Sequence, residues 1–474
     1  MKAAWLCAFV ACLSAACWSL ITPAFQAPDE QDHYAYVALL AQTGRPPSSS
    51  DEVDEPEELA ALIGLRYLQL RHQPRNHAIA STAEQETLES NLASVGERHY
   101  PGGIAAAGVA SSEPPLYYAL ETIPYRLAGS VLGRLPLMRL LSALMAAVTA
   151  LFAYLFVRET LPGVEWAWIV GGLGVALVPL LGFMSGAVNP DSMLFAVSAV
   201  LFYTLARAFR RGLTTRLAFA IGAVIAVGMA TKLNFIGLLP GALAGLIMLS
   251  ARATRTSGHR LHRLAGLACA VAGVPAALYA ILYALSGDPP LGSASGALAG
   301  VHLSLGELGY MWQLYLPRLP GTVNDFPGLF TTRQLWFDGY VGLYGWFDTT
   351  FPGWVYDAAL VPAGLIAALC IREFVAARAA LRDRLAELAT YALMAVGLMA
   401  LIGLASYADF PTRSAEFAET RYLLPLLPLL GAVLALAARA GGERWGRAFG
   451  ALIVVLFFAH DLFSQLLVVS RFYG

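Results

Sequence analysis

Apolar stretches long enough to cross a lipid bilayer recur along almost the whole chain. Roughly eleven of them, each about 17 to 25 residues long, can be marked. They cover residues 4–22, 136–157, 164–183, 191–209, 215–231, 233–250, 263–285, 354–371, 387–407, 422–439 and 447–468. Charged residues make up only 13% of the 474 residues, against about 25% in a soluble domain. The sequence therefore predicts an all-α integral membrane protein, with residues 1–474 forming a single polytopic domain.

Short basic segments between the apolar stretches predict the orientation in the membrane. These segments are RAFRRGLTTR, SARATRTSGHRLHR, REFVAARAALRDR and ARAGGERWGR. All four fall on the side of the N-terminus, and the excess of arginine makes that side cytoplasmic. Two long loops, residues 23–135 and 286–353, and the C-terminus are then expected outside.

The first apolar stretch has a second interpretation. MKAAWLCAFVACLSAACWSLITPAFQA contains one basic residue, an apolar core and an AFQA end, as a cleaved signal peptide does. Its length and Pro23 in the cleavage region favour a retained span. Retention would keep the polar motif that follows anchored at the membrane surface.

That motif is QAPDEQDHYAY, residues 26–36, with four titratable groups at a membrane boundary. Pro28 is suited to the first turn of a helix, which would place Asp29, Asp32, His33 and Tyr36 on one face. A simpler explanation is that acids stabilise a helix N-terminus by about 0.3 to 1 kcal/mol. That explanation does not cover similar polar groups elsewhere on the same predicted side.

Three such groups stand at the outer ends of other spans. They are NPD (Asn189–Asp191), Lys232 in TKLN and Arg421 in TRY. Ionisable residues in these positions indicate function when they converge on one cavity. We therefore expect a polar site on the outer face.

Other classes of function are disfavoured by composition. The net charge of −1 and the lack of a zinc-finger spacing argue against a nucleic-acid partner. The five cysteines fall within apolar stretches and are better explained as small buried residues than as disulfides.

In the first outer loop, PEELAALIGLRYLQLRH predicts an amphipathic helix, STAEQETLES a solvated helix, and LYYALETIPYRL a helix begun by Pro114 and Pro115.

Five motifs, taken in order along the chain, resemble a known family. They are PDEQDH, EPPLYY, NPD, GWFD and TRYLLPLLP. The set is similar to a bacterial family of uncharacterised predicted membrane proteins in the GT-C glycosyltransferase superfamily. Protein O-mannosyltransferases, aminoarabinose transferases and oligosaccharyltransferases belong to the same superfamily. The resemblance covers nearly the whole chain, although a large soluble C-terminal domain like that of the oligosaccharyltransferases is lacking.

The resemblance implies a GT-C-like fold in the bacterial inner membrane, with a periplasmic active site roofed by the first outer loop. It also implies a polyprenyl-phosphate-linked sugar donor, and a glycan, lipid or protein of the cell envelope as acceptor. The chain itself offers no glycine-rich nucleotide-binding loop, which agrees with a lipid-linked donor. Because polyprenyl phosphate leaves as a stable anion, one general base can suffice, and inversion at the anomeric carbon is expected.

The acidic residues receive the following predicted roles. Asp29, at the acidic position that the superfamily uses, is the candidate general base, and Glu30 is expected to orient the acceptor or Asp29. Asp191 resembles the second acidic position, while Asn189 is either part of the site or a helix cap. A divalent cation held by Asp29 and His33 is a further possibility, with a satisfied interfacial histidine as the alternative.

Cations and aromatic residues complete the predicted site. Arg421 is expected to bind the donor phosphate through its planar fork, with snorkelling at the interface as the alternative. Lys232 and Arg333 are second choices for that role. Asp348 is either a sugar-hydroxyl acceptor or a loop-turn residue. Further substrate-binding candidates, several of which an aromatic belt would also explain, are Glu113, Tyr117, Tyr118, Trp336, Trp346, Trp354 and Tyr422.

Two rival functions remain open. An O-antigen ligase or polymerase would have its catalytic residues mainly in a late outer loop such as 286–353. A secondary transporter or lipid flippase should contain paired repeats and broken helices near the bilayer midplane, and the sequence indicates neither. The acidic motif after the first span favours the glycosyltransferase.

Overall fold

The fold is given by a computed structural model that describes residues 1–47, 52–53, 56–78, 83–84, 86–87, 90–91, 104–105, 108–257, 260–286, 304–316, 331–413 and 419–474. Helices dominate these residues. The first half contains α1 (Lys2–Ile21), α2 (Glu30–Thr43), α3 (Pro56–Gly64), α4 (Tyr67–Leu70), α5 (Leu116–Tyr125), α6 (Val131–Thr160), α7 (Glu165–Ala176), α8 (Pro179–Ser185), α9 (Asp191–Arg211) and α10 (Thr215–Thr231). The second half contains α11 (Leu239–Ser257), α12 (Arg260–Ser286), α13 (Leu305–Tyr315), α14 (Gly339–Gly342), α15 (Gly353–Ala376), α16 (Arg378–Arg382), α17 (Leu385–Arg413), α18 (Leu427–Arg439) and α19 (Gly442–Tyr473).

Shorter elements join these helices. Antiparallel strands β1 (Glu52–Val53) and β2 (Ile104–Ala105) pair in the first long loop, and β3 (Leu343–Tyr344) and β4 (Thr349–Thr350) form a hairpin in the second. The 3₁₀ helices are Gly108–Ser112, Leu233–Leu238 and Thr420–Leu426, and a π-helical turn covers Arg333–Asp338.

The predicted all-α membrane fold is confirmed. Among the described residues, eight helices are long and apolar enough to cross a membrane, or nine if α7 and α8 make one bent span. Two shorter apolar helices lie at Thr215–Thr231 and Arg263–Val274. Each of the eleven predicted stretches coincides with one of these helices or with the bent pair, and the segment Arg263–Val274 is part of α12.

The bent span is a feature that the sequence analysis missed. Helices α7 and α8 differ in direction by 53°. The break precedes Pro179, whose ring disfavours helical backbone at the residue before it. Helix α8 thereby turns apolar side chains toward the end of the bundle that carries the polar motifs.

Small residues let the central helices approach closely. Helix α1 packs against α6, α7 and α8, and α6 packs against α9. At Gly171 in α7, a Cβ atom would lie 2.6 Å from the carbonyl oxygen of Gly431 in α18. Contacts between small residues are the usual means of packing membrane helices, because lipid provides no hydrophobic force between them. The packing of α1 in this core favours the retained first span.

Basic loops meet at one end of the bundle. Arg211 pairs with Glu159 at 2.6 Å, Arg384 donates to the Thr160 carbonyl at 2.6 Å, and Arg439 pairs with Glu373 at 3.4 Å. The polar motifs of the sequence lie at the other end. This arrangement agrees with the predicted grouping of the loops, while the membrane side that each end faces stays a prediction.

The first outer loop is helical as expected, with corrected boundaries. Helix α2 begins at Glu30, so Pro28 and Asp29 precede it. The predicted amphipathic helix is broken into α3 and α4 at Arg66, which has a positive φ of 57°. Helix α5 confirms the segment after Pro115, and the predicted helix at 81–90 falls largely outside the described residues.

Candidate active site

A cavity of about 740 Å³ opens at the end of the bundle that carries the polar motifs. The first outer loop, α8, the β3–β4 hairpin and the start of the Thr420–Leu426 helix surround it. Its apolar wall includes Leu180, Phe183, Met184, Leu335 and Leu343. Its polar lining includes Asp29, Gln31, Asp32, His33, Arg71, His72, Glu113, Lys232, Asn234, Glu419, Thr420, Arg421 and Tyr422. Residues from distant parts of the sequence therefore converge as expected.

Asp29 lies in the turn that joins α1 to α2. Its backbone is left-handed, with φ 62° and ψ 9°, a conformation that aspartate and asparagine adopt more readily than most residues. Its side chain makes no capping hydrogen bond to the first turn of α2. Instead, its Oδ2 atom lies 2.9 Å from Nη2 of Arg421. Helix capping therefore does not explain this carboxylate.

Arg421 is the centre of a buried charge cluster. Its side chain is 5% exposed, and its Nε atom lies 2.5 Å from Oε2 of Glu419 and 3.7 Å from Oδ2 of Asp191. The Tyr422 ring lies 5.3 Å from the guanidinium carbon. Within the described part of the chain, Nη1 of Arg421 has no hydrogen-bond partner. Carboxylates thus contact Nε and Nη2 of the Arg421 guanidinium. Its Nη1 atom remains to donate a hydrogen bond to a ligand.

Lys232 extends the cluster on the other side of Asp191. Its Nζ atom is 2.8 Å from Oδ1 of Asp191 and 3.6 Å from Oε1 of Glu113. Asp191 is fully buried and contacts both cations. It therefore sets the spacing between Lys232 and Arg421.

Burial and charge shift the pKa values of these groups in different directions. Burial raises the pKa of the Asp29 carboxyl, but the charges of Arg421 and Lys232 and the bond from Arg421 lower it more, so it lies below its ordinary value. Burial raises the pKa of Glu113, and raises the pKa of Glu419 to about 7 against the effect of Arg421. Asp29 is therefore ionised at neutral pH, and Glu419 is near its midpoint.

His33 lies in the cavity wall but bonds away from Asp29. Its Nδ1 atom is 2.9 Å from the hydroxyl of Tyr118, whose ring stacks on Tyr36 at 3.6 Å. Burial, together with the positive charge of Lys232, lowers the pKa of His33 to about 3. Among the described residues, no group of three or more His, Cys, Asp or Glu side chains is arranged to hold a metal ion. The divalent cation stays a prediction.

Glu30 lies outside the cavity lining, which favours the second of its two predicted roles, orienting Asp29, over orienting the acceptor. Its carboxylate is fully buried and pairs with Arg139 of α6 at 2.7 and 2.5 Å. It also accepts the backbone N–H groups of Phe25 at 2.9 Å and Val188 at 3.0 Å. Arg139 in turn donates to the carbonyls of Ser19, Thr22 and Pro23. This network fixes the α1–α2 turn and hence the position of Asp29.

Several other candidates lie outside the cavity lining. Tyr117 bonds to Ser142 at 2.8 Å behind Tyr118, and the Asn189 side chain accepts the N–H of Asp191 at 2.9 Å, as a helix cap would. Asp348 accepts the N–H groups of Trp346 and His72, which is its loop-turn role. Arg333 is paired with Asp338 and Asp357 at the surface. Of the tryptophans, Trp346 lines the cavity, whereas Trp354 is 70% exposed.

Three functional or positioning residues were missed, and two had signals in the sequence. Arg139 stands inside an apolar span, where a charge requires a buried partner. Glu419 lies two residues before Arg421, on the same outer boundary. The sequence predicts Arg71 only as the end of an amphipathic helix. Arg71 reaches the cavity because the helix is broken at Arg66.

Comparisons with known proteins identify a family. The sequence matches the family described as "Predicted membrane protein (DUF2142)" over residues 12–430. The chain belongs to this family. No curated protein matches the sequence significantly.

One solved structure resembles the fold only distantly. It is ArnT from Cupriavidus metallidurans, crystallised bound to undecaprenyl phosphate. The similarity has a TM-score of 0.41 at 15% sequence identity and covers 76% of this chain. It covers 65% of that chain, so the present chain spans less than two thirds of the ArnT length.

Proposed function

We propose that this membrane protein transfers a sugar from a polyprenyl-phosphate donor to a hydroxyl group of a cell-envelope acceptor. The observation that carries the proposal is the contact of Asp29 with Arg421 in the wall of a cavity that also holds Lys232. A cavity of about 740 Å³ is in the range of small-molecule sites. Its charged end suits a sugar phosphate, and its apolar wall suits the first part of a lipid chain.

Arg421 and Lys232 are the groups that would bind the donor phosphate. Both side chains are less than one tenth exposed, and both are held by Asp191. A phosphate oxygen would accept a hydrogen bond from Nη1 of Arg421, the donor without a partner among the described residues. Charge-assisted bonds of this kind contribute about 1.5 to 3 kcal/mol each.

Donor binding would also activate Asp29. Arg421 keeps the pKa of Asp29 below its ordinary value, which makes the carboxylate a weak base. A donor phosphate that binds Arg421 would neutralise part of the positive charge that lowers the pKa of Asp29. The pKa of Asp29 would then rise toward its ordinary value. The base would then be strongest when the donor is present.

The transfer exchanges one bond at the anomeric carbon and moves one proton. The acceptor oxygen attacks the anomeric carbon, the bond from that carbon to the phosphate oxygen breaks, and the acceptor proton passes to the Asp29 carboxylate. Polyprenyl phosphate departs with the bonding electron pair, and Arg421 and Lys232 stabilise its charge. A single displacement inverts the configuration of the sugar.

The rival functions are less well supported. The bent α7–α8 span is a broken helix of the kind that transporters contain, but α8 lines the outer cavity with apolar side chains. For a ligase or polymerase, the late loop should supply the catalytic groups. Its described arginine, Arg333, is 44% exposed and lies outside the cavity lining.

The test is the activity and stability of Asp29→Asn. Asparagine tolerates the left-handed backbone, its amide oxygen can still accept the bond from Arg421, and Arg421 stays paired with Glu419, so stability should fall by about 1 kcal/mol. Because asparagine cannot take the proton, turnover of a lipid-linked sugar should fall about 100-fold to 10,000-fold.

Undecaprenyl phosphate binding by Asp29→Asn protein is the internal control and should be retained. Glu443→Gln, which removes the same negative charge from an exposed residue of α19 outside the cavity lining, serves as a comparison variant. Asp29→Asn protein that is equally stable and fully active would remove Asp29 from the chemistry.

A further inference from the structure

Arg71 is a cation in the cavity wall whose surroundings differ from those of Arg421 and Lys232. It ends α4 in the first outer loop and lines the same cavity. Its guanidinium lies 3.5 Å from the centre of the Trp346 ring, Nη1 donates to the Tyr67 hydroxyl at 3.0 Å, and Nε donates to the His72 ring at 3.3 Å. None of the three partners is a carboxylate.

No carboxylate compensates this charge within the described residues. Arg421 contacts three carboxylates and Lys232 contacts two. The bonds of Arg71 in the described part of the chain use Nε and Nη1 only, which leaves Nη2 for a ligand. An arginine fork with a free edge is well suited to phosphate or carboxylate.

Trp346 offers a second polar group at this place. The residue is 8% exposed and lines the cavity, and its indole nitrogen has no hydrogen-bond partner among the described residues. A buried indole N–H normally finds an acceptor. A hydroxyl or anionic oxygen of a ligand would supply one.

The position of both side chains is fixed by contacts from three parts of the chain. Trp346 lies at the tip of the β3–β4 hairpin between two residues of positive φ, Gly345 and Phe347. Asp348 of this tip accepts the backbone N–H of His72 at 3.1 Å. Arg471 of α19 donates to carbonyls of the Arg71 segment, among them Leu70 at 3.1 Å. Such a site is already organised before the ligand binds.

We infer that Arg71 and Trp346 form a subsite for a negatively charged group on the acceptor, a phosphate or carboxylate carried by a sugar. The inference rests on the proposed function, in which Arg421 and Lys232 are occupied by the donor phosphate. The acceptor would then enter the cavity beside the first outer loop, with its anion on Arg71 and a hydroxyl directed toward Asp29.

The experiment uses glucose 6-phosphate and glucose as probes of the full-length protein in detergent, with undecaprenyl phosphate present to fill the donor site. Binding is measured by saturation-transfer NMR titration. The wild-type protein should bind glucose 6-phosphate about tenfold to 100-fold more tightly than glucose. Arg71→Gln should abolish this preference, and Arg71→Lys should retain part of it because the charge remains.

Arg75→Gln is the matched control, since Arg75 is exposed on the same segment and lies outside the cavity lining. It should keep the wild-type preference. Trp346→Phe retains an aromatic ring beside Arg71 but removes the indole N–H, so it should weaken glucose 6-phosphate more than glucose and reduce the preference. Thermal stability of each variant is measured on the same samples.

Three outcomes would overturn the inference. They are equal binding of both probes by the wild-type protein, an unchanged preference in Arg71→Gln, or a loss of undecaprenyl phosphate affinity in Arg71→Gln as large as that in Arg421→Ala. The last outcome would assign Arg71 to the donor phosphate. The binding assay does not depend on turnover. A protein that shows the expected preference for glucose 6-phosphate but transfers no sugar would therefore refute the proposed function and not the anion subsite.

Discussion

Replacing Glu30 by glutamine should destabilise the protein strongly although Glu30 lies outside the cavity. Oε1 of Glu30 accepts bonds from Arg139 Nε and from the Val188 N–H, and Oε2 accepts bonds from Arg139 Nη2 and from the Phe25 N–H. All four partners are donors. In glutamine an NH2 group replaces one of the two carboxylate oxygens. This NH2 group would face two of the four donors and cannot accept from them, so at least two hydrogen bonds are lost.

The expected magnitude follows from these bonds. Two charge-assisted bonds at about 1.5 to 3 kcal/mol each give about 3 to 6 kcal/mol. Removing one partner of a buried ion pair costs about 3 to 5 kcal/mol in other proteins, which is the same range. Arg139 is 5% exposed, so water cannot replace the missing carboxylate.

The assay is thermal unfolding of purified Glu30→Gln and Asp29→Asn proteins in the same detergent. A change of this size in a chain of this length should lower the midpoint by roughly 3 to 5 °C, against about 1 °C for Asp29→Asn. The two midpoints would thus distinguish Glu30, which stabilises the fold, from Asp29, which takes part in the chemistry. A Glu30→Gln protein with an unchanged midpoint and a selective loss of turnover would refute this assignment.

Three other predictions follow from the same geometry. Arg421→Ala should weaken undecaprenyl phosphate binding about tenfold to 100-fold by calorimetry, and Arg421→Lys should recover only part of it because the fork is lost; unchanged binding would move the phosphate to another cation. Since burial raises the pKa of Glu419 to about 7, ionisation of Glu419 between about pH 6 and 8 adds a negative charge that competes for Arg421. Binding should therefore weaken as pH rises through this window, and Glu419→Gln should flatten the profile; an unaltered profile would contradict the assignment. Reporter fusions should place residues 90 and 474 in the periplasm and residue 256 in the cytoplasm, and a cytoplasmic residue 90 would separate the cavity from its donor.

The helices could be predicted well from the sequence because the bilayer imposes their length and polarity. The alternating direction of the spans also predicts that Asp29, Asp191, Lys232 and Arg421 lie at one end of the bundle. Each of them stands at a span boundary on the same side of the membrane. Side-chain partners were less predictable. Glu30 and Asp29 look equivalent in the sequence, and only Arg139, which lies 109 residues from Glu30, distinguishes them.

Local backbone geometry accounts for the remaining differences. A left-handed residue at Asp29 moved the start of α2 by two residues relative to a helix begun by Pro28, which took Asp29 off the predicted helix face. A second left-handed residue, Arg66, divided the amphipathic helix and turned Arg71 into the cavity. Neither left-handed residue is glycine, and the signals present, the tolerance of aspartate for this conformation and Gly64 at the end of α3, are too weak to locate either break.

Contacts between the first and last helices set an order for assembly. Asp461 of α19 accepts bonds from Ser14 and Trp18 of α1, across sequence separations of 447 and 443 residues. Arg471 of the same helix fastens the loop segment that carries Arg71. During synthesis α1 enters the membrane early but gains these partners only after α19 is inserted, and contacts so distant in sequence form late. This part of the cavity wall therefore forms only after α19 has been inserted and has packed against α1.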